Sequence, residues 1–382
     1  MKVSLTQANL HKSLNHILKA TASKPNIPIL ANVLIKAEKG VIRFAATDLE
    51  ISVSAEVGGE IGEEGELTVN ARLLTEFVAQ LSSNKIELLQ TGQSLEVKSV
   101  DNSAQLYIIP ADDFPPLPEV AGEPDLVVAA QDLREAIAKT TFAAASDQSR
   151  PVLTGILLEA TKRKLSLVGV DGFRLSQKFV ELADEAKNEE LSLVVPATSL
   201  QEVAKIITDE FPADESSEED LVQIFHLDGK NQVLFKVGDV VISSRLIEGE
   251  YPDYKKIIPS EYNFAFVAHK AEISHSVKVA NIFARNIVGS KTLFKIFSEE
   301  KQLHLSAKVE DMGNNESVAE LDDVEGEQFE TAYNAKFLSD MLGSISGETI
   351  RFEANSITAP GVFRDPNDPN YLHVIMPMRI QH

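Results

Sequence analysis

At 382 residues with a formal net charge of −22, the chain is too long for one hydrophobic core and too acidic to bind nucleic acid or anionic lipid over its whole surface. Cysteine is absent, which excludes disulfides, thiolate zinc sites and a cysteine nucleophile. No apolar run approaches the roughly 18 residues of a membrane span, and Met1-Lys2-Val3-Ser4-Leu5 has no signal-peptide architecture, so a cytosolic protein is expected.

In chain order, the same four elements come round three times. Residues 7–22 place Leu10, Leu14, Ile17 and Leu18 at helical spacing. Residues 40–48 and 49–54 then read as a hairpin around an acidic turn. A strand from Leu67 leads into a second helix over 71–83, with Asn70 as its N-cap, and strands near 106–110 end in the proline-rich exit 113–118.

The second pass has a helix over 131–145 with Leu133, Ile137 and Phe142. A hairpin around Asp171-Gly172 follows, then a strand into a helix at 198–208 capped by Thr198 or Ser199, and an exit at 250–259. The third has a helix over 270–284, a hairpin at 302–321 and a strand into a helix capped by Asn334. Its final strand at 372–380 has no exit. The expectation is an α+β protein of three repeated domains, 1–122, 123–258 and 259–382, each with two helices packed on antiparallel sheets. The acidic stretch 214–220 reads as a solvated excursion from the middle copy.

No catalytic constellation emerges. Gly289-Ser-Lys-Thr292 ends like a phosphate loop, but the first glycine of that motif is missing, so a helix-to-strand turn is expected. His11 and His16, like His269 and His275, are spaced so that they do not share a helix face. Asp112-Asp113 and Asp322-Asp323 are adjacent, so on a strand they would point to opposite faces. Neither an enzyme nor a bound cofactor or metal is expected.

Charge is divided by element type. Residues 7–24 and 270–291 are each +3 and the other four helices neutral, leaving the rest of the chain −28. Helices forming a positive lining around a polyanion would produce this, as would acidic loops in any acidic protein. Few aromatics interleave with the basic residues, so any nucleic-acid contact would be directed at the backbone and independent of sequence.

Four stretches carry a family likeness: Lys24-Pro-Asn-Ile-Pro-Ile-Leu-Ala-Asn-Val-Leu34, Val170-Asp-Gly-Phe-Arg-Leu175, Tyr251-Pro-Asp-Tyr254 and Val374-Ile-Met-Pro-Met-Arg-Ile380. Over its full length the chain resembles the bacterial β sliding clamps, processivity subunits of DNA polymerase III. The resemblance implies a head-to-tail homodimer closed into a ring around duplex DNA, with helices lining the hole and sheets outside. It implies no catalysis and no cofactor. Its partners would be the polymerase III catalytic subunit, a clamp loader, and other polymerases and repair proteins. A scaffold of three repeats without a nucleic-acid partner is the alternative, and an unrecognised hydrolase a third reading.

By the same resemblance, partners dock short motifs in a groove between the second and third domains. The middle domain would supply Leu153, Val170, Gly172, Phe173, Arg174 and Leu175, and the second exit Pro252, Lys256 and Ile257. The third domain would supply Ile287, Asn334 and Phe337, and the final strand Val374, Ile375, Met376, Pro377, Met378 and Arg379. Methionine suits such a groove because its side chain repacks easily. Phe173 stands where the best-known members carry histidine, Lys256 where they carry arginine, and Ile287 where they carry an aromatic residue. Lys24 and Arg150 match DNA-facing loops of the family. Arg285 follows from repeat equivalence, and Lys12, Lys19 and Lys278 from the charged helices. Gln381 and His382 extend past the usual end of the family's chains and could crowd the groove.

Overall fold

The computed structural model describes residues 1–22, 26–214, 217 and 219–380. Lys24, three residues of the acidic stretch (Glu215, Ser216 and Glu218), and Gln381 and His382 lie outside the described residues.

The first repeat begins with β1 (Lys2–Thr6), α1 (Gln7–Leu18), β2 (Asn32–Glu38), β3 (Val41–Thr47), β4 (Ile51–Val57) and β5 (Gly59–Glu63). It ends with β6 (Gly65–Asn70), α2 (Ala71–Ala79), β7 (Lys85–Thr91), β8 (Ser94–Lys98) and β9 (Ser103–Ile109). The second begins with β10 (Leu126–Ala129), α3 (Ala130–Thr140), β11 (Gly155–Thr161), β12 (Lys164–Val170) and β13 (Arg174–Glu181). It continues through β14 (Glu190–Pro196), α4 (Ala197–Glu210), β15 (Leu221–Leu227), β16 (Gln232–Val237) and β17 (Val240–Arg245). The third begins with β18 (Phe264–His269), α5 (Lys270–Ala284), β19 (Lys291–Phe297), β20 (Gln302–Val309), β21 (Gly313–Glu320) and β22 (Asp323–Glu325). It closes with β23 (Phe329–Asn334), α6 (Ala335–Ser344), β24 (Thr349–Ala354), β25 (Gly361–Asp365) and β26 (Asp368–Ile375).

Local chemistry explains several helix ends. The Asn70 side chain accepts from Leu73 N and that of Asn334 from Lys336 N and Phe337 N, satisfying first-turn donors that have no partner within the helix. Neither Thr198 nor Ser199 is a cap. Helix α4 starts directly after Pro196, so both residues lie inside its first turn, and the buried Ser199 hydroxyl instead accepts from Ser244. Helix α1 stops at Leu18, short of the expected residue 22, where Lys19 N turns back to His16 O and the Thr21 hydroxyl to Leu18 O. Gly289, in the left-handed region at φ 74°, makes the turn from α5 into β19.

Contacts divide the chain into two compact units, and the cut passes through the middle repeat: 1–134, 182–188 and 198–246 form one, 135–181, 189–197 and 247–382 the other. The first unit holds a single antiparallel sheet in the order β10-β15-β16-β17-β4-β3-β2-β6-β9-β8-β7-β1-β5. Strands of two repeats join in it where β17 pairs β4, from Val240↔Ala55 to Ser244↔Ile51. Leu10, Leu14 and Ile17 of α1 and Leu74 and Val78 of α2 are fully buried in its core.

The second unit holds a nine-stranded sheet, β14-β11-β12-β13-β26-β25-β24-β18-β22, and a four-stranded one, β21-β20-β19-β23. Here β13 pairs β26 from Arg174↔Ile375 to Lys178↔Tyr371, again joining two repeats. An aromatic cluster fills the core, with Phe266 and Phe352 stacked at 5.1 Å between ring centroids. Tyr333 is fully buried beside them, and that burial pushes its hydroxyl pKa up.

The two proline-rich exits lie on their sheets as straps. In the second unit Tyr251 donates to Val168 O at 3.0 Å and the buried Tyr254 to Glu159 Oε2 at 2.5 Å. In the first unit the strap around Phe114 and Leu117 borders a cleft of about 640 Å³ over β2, β3 and β4.

Candidate functional site

The turn between β12 and β13 begins the site. Asp171 Oδ1 accepts from Phe173 N at 2.8 Å and Arg174 N at 3.0 Å, and Gly172 takes φ 92°, where a β-carbon is strained. On one face of the hairpin Val170 and Leu175 join Leu153, Leu157, Val168 and Val374 in a buried apolar cluster. Full burial of each such side chain contributes roughly 1.5–3 kcal/mol. Strand β26 lies beside the hairpin with Val374 opposite Leu175. At its end Met376 N donates to Phe173 O at 2.9 Å, leaving the Met376 side chain 36% exposed.

A depression of about 460 Å³ opens there, lined by Val170, Gly172, Arg174 and Leu175 from the hairpin, and by Val374 and Met376 from β26. Lys256, Ile257 and Pro259 of the strap form another wall, and Asn355, Ala359 and Pro360 of the β24–β25 turn close it. Sequence reasoning did not single out Pro259, Asn355, Ala359 or Pro360. Pro259 reaches the hairpin on the strap, and Asn355, Ala359 and Pro360 only through the sheet.

Arg174 is 8% exposed. Its Nε donates to Asp171 Oδ2 at 3.0 Å, one terminal nitrogen to Asp340 Oδ2 at 2.7 Å and the other to Phe142 O at 2.6 Å. Its guanidinium also lies 4.4 Å from the centre of the Phe337 ring. Lys256, by contrast, is exposed and paired with Asp253 at 2.9 Å.

The other expected groove residues lie apart from this depression. Leu153 is buried beneath it in the same apolar cluster, and Ile375 faces the aromatic core instead. Phe173 is 63% exposed at the hairpin tip, and Pro252 is exposed with its carbonyl accepting from Tyr254 N. Ile287 packs near Ala284, Ala307 and Ala335. The Asn334 side chain is taken up by the cap of α6, and Phe337 by Arg174 and the aromatic core. Beyond half-buried Pro377, Met378 N donates to Ala332 O at 2.7 Å, carrying the chain onto β23, and Arg379 O accepts from Lys291 Nζ at 2.9 Å.

The expected positive helices need correction. With the observed bounds, α1 and α5 each carry one net positive charge, α4 two net negative, and α2, α3 and α6 none, so the helices sum to zero. Helix α4 extends to Asp209 and Glu210, while Lys19, Arg150, Arg285 and Lys291 fall beyond helix ends. Lys12 pairs with Glu210 at 3.0 Å and Lys19 with Asp209 at 3.3 Å. Between them His16 sits buried, 3.3 Å from Asp209 and 3.5 Å from Glu210, its pKa lowered by burial despite those carboxylates. Arg150, Lys278 and Arg285 are exposed and form no ion pair among the described residues. The Arg150 guanidinium lies 3.3 Å from where a β-carbon on Gly172 would stand.

Three sequence models of the DNA polymerase III beta subunit match the chain in order: the N-terminal domain over residues 1–118, the central domain over 127–253 and the C-terminal domain over 255–379. The beta sliding clamp of Staphylococcus epidermidis is 27% identical over 389 residues, covering 99% of each chain. The crystal structure of the DNA polymerase III beta subunit of Thermotoga maritima superposes with a TM-score of 0.89 at 29% identity, covering 100% of both chains. That of the sliding clamp of Pseudomonas aeruginosa bound to griselimycin gives 0.91 at 25% identity, with the same coverage. With all three domains matched in order and the fold shared from end to end, the chain belongs to the DNA polymerase III beta subunit family, the sliding clamps of DNA replication.

Proposed function

We propose that two copies of this chain close head to tail into a ring around duplex DNA. The ring then tethers the polymerase III catalytic subunit, the clamp loader and other polymerases and repair proteins through the groove, catalysing nothing itself. The observation that carries the ring is a pairing rule within the sheets. The second hairpin strand of one repeat pairs the last strand of the next, as β4 with β17 and β13 with β26. In the third repeat the corresponding hairpin strand is β21, an edge strand paired, among the described residues, with β20 alone. In the first repeat the corresponding last strand is β9, whose residues 103–107 pair, among the described residues, with β8 alone.

A second copy supplies what each edge lacks, β21 of one lying antiparallel to β9 of the other, in a heterologous contact that closes after two steps. Exposed edges otherwise invite uncontrolled pairing. Tyr107, 89% exposed on β9, and Val318, 47% exposed on β21, are apolar side chains that such a contact would cover. Helices whose charges sum to zero, with Lys12 and Lys19 already tied to carboxylates, suit a lining that slides, because strong phosphate contacts would hold it in place. No helix among the described residues is long and apolar enough to cross a membrane, and the reading places the ring in the cytoplasm with the DNA. Membership of the clamp family leaves the scaffold alternative without support.

Retention after loading tests the ring. The protein is expected to stay on circular duplex DNA and run off the same DNA once linearised, and equal retention on both would overturn topological linkage. Griselimycin tests the groove, the reading being that this chain takes it there. Calorimetry is expected to show binding that Met376→Ala weakens about tenfold, close to 1.4 kcal/mol, with the dimer intact. Unchanged affinity would remove Met376 from the site.

A further inference from the structure

We infer that Asp340, which does not line the groove, is the residue that positions it; the inference rests on the groove reading above. The route runs through Arg174. Its guanidinium has three hydrogen-bonding directions engaged, toward Asp171, Asp340 and the Phe142 carbonyl, and one face on the Phe337 ring. Two of these partners, Asp340 and Phe337, sit on α6. The planar fork of arginine matches carboxylates in fixed directions, so the side chain is held in one orientation rather than as a loose charge.

Arg174 is also the first residue of β13. Its backbone N–H is held by Asp171, its backbone carbonyl accepts from Asp171 N at 3.3 Å, and it stands opposite Ile375 in the ladder. Next to that pair Met376 N bonds Phe173 O. The chain of contacts is therefore Asp340, Arg174, the 171–173 turn and Met376. Every link after the first belongs to the groove wall or to the turn that shapes it. The resemblance makes Arg174 a contact for a bound peptide, yet each of its three guanidinium nitrogens already has a partner; what it offers the groove first is a fixed wall.

Without the Asp340 carboxylate, a guanidinium that is 8% exposed keeps one anionic partner in place of two. Turning Arg174 toward water would then release both the hairpin tip and Met376. The expected defect lies in groove shape, expressed in binding, and exceeds any general loosening of the fold.

The test uses the full-length dimer and griselimycin as probe, with calorimetric affinity and thermal midpoint measured together. Asp340→Asn is expected to weaken binding at least tenfold while the dimer persists, and Asp340→Glu to restore most of the affinity. Leu342→Ala, which opens the core under the same helix, controls for instability: it is expected to lower the midpoint and leave affinity within twofold. Wild-type affinity in Asp340→Asn, or an equal loss in Leu342→Ala, would overturn the inference. If Met376→Ala loses binding while Asp340→Asn does not, this inference alone falls. If the wild type fails to bind griselimycin, the groove reading falls with it.

Discussion

Replacing Asp368 with alanine is expected to destabilise the second unit by roughly 3–5 kcal/mol, the effect of removing one partner from a buried ion pair. Asp368 Oδ2 accepts from Lys139 Nζ at 2.8 Å and Lys178 Nζ at 2.6 Å, and the two lysine side chains are only 4% and 10% exposed. Burial opposes the charge on Lys139, but hydrogen bonds to Asp368 and Glu135 outweigh it and raise the pKa. Burial likewise opposes ionisation of Asp368, yet the two lysines win and lower its pKa. Its contribution is therefore complete above the ordinary carboxylate pKa and lost as pH falls through the lowered folded value. Near pH 7 the alanine variant leaves two buried ammonium groups sharing Glu135, 2.7 Å from Lys139 and 4.0 Å from Lys178. Urea unfolding of both proteins at pH 7 measures the difference. A loss below about 1 kcal/mol would mean that water reaches these lysines, and the cluster would then count for no more than a surface pair.

His373→Phe is expected to flatten the acid side of the stability curve. His373 is fully buried on β26, stacked on Phe142 at 5.4 Å, and neither ring nitrogen has a hydrogen-bond partner among the described residues. Burial, and then the positive charge of Arg174, lower its pKa to about 3. The folded state thus refuses a proton that the unfolded chain accepts below about pH 6.5. Stability falls by roughly 1.4 kcal/mol per pH unit through that window, about 2 kcal/mol between pH 7 and 5 from this residue alone. A phenyl ring keeps the stack and removes the titration, so the variant should gain relative stability as pH drops. Equal pH slopes in urea midpoints for the two proteins would contradict this account. His16, also lowered in pKa by burial, adds acid sensitivity to the first unit that the substitution leaves untouched.

Elements with strong local signals were legible in the chain. The periodicity of Leu10, Leu14 and Ile17 matches the buried face of α1, Asn70 and Asn334 cap where they were expected to, and the turn at Asp171-Gly172 follows from an acceptor side chain beside a residue free to take positive φ. Helix ends were less legible: hydrophobic spacing runs on past Leu18, while backbone hydrogen bonds close the helix there. Helix α4 likewise runs past the expected residue 208 to Glu210, and the Asp209 and Glu210 so added tie up Lys19 and Lys12.

By itself the sequence determined the threefold α+β repeat, and its likeness to the clamps, because periodicity, turn chemistry and local motifs are properties of neighbouring residues. It also carried, by that likeness, the hairpin and the final strand that wall the groove. Only the tertiary structure decided what each charged side chain does, because a charge is read through its partners and those are distant in the chain. Arg174 finds Asp340 across 166 positions, Lys139 finds Asp368 across 229, and Pro360 reaches the groove only through the pairing of β25 and β26. Strand edges belong with these: that residues 103–107 of β9 and the outer side of β21 are left free is a property of the assembled sheets, since any strand has two edges until its neighbours are in place.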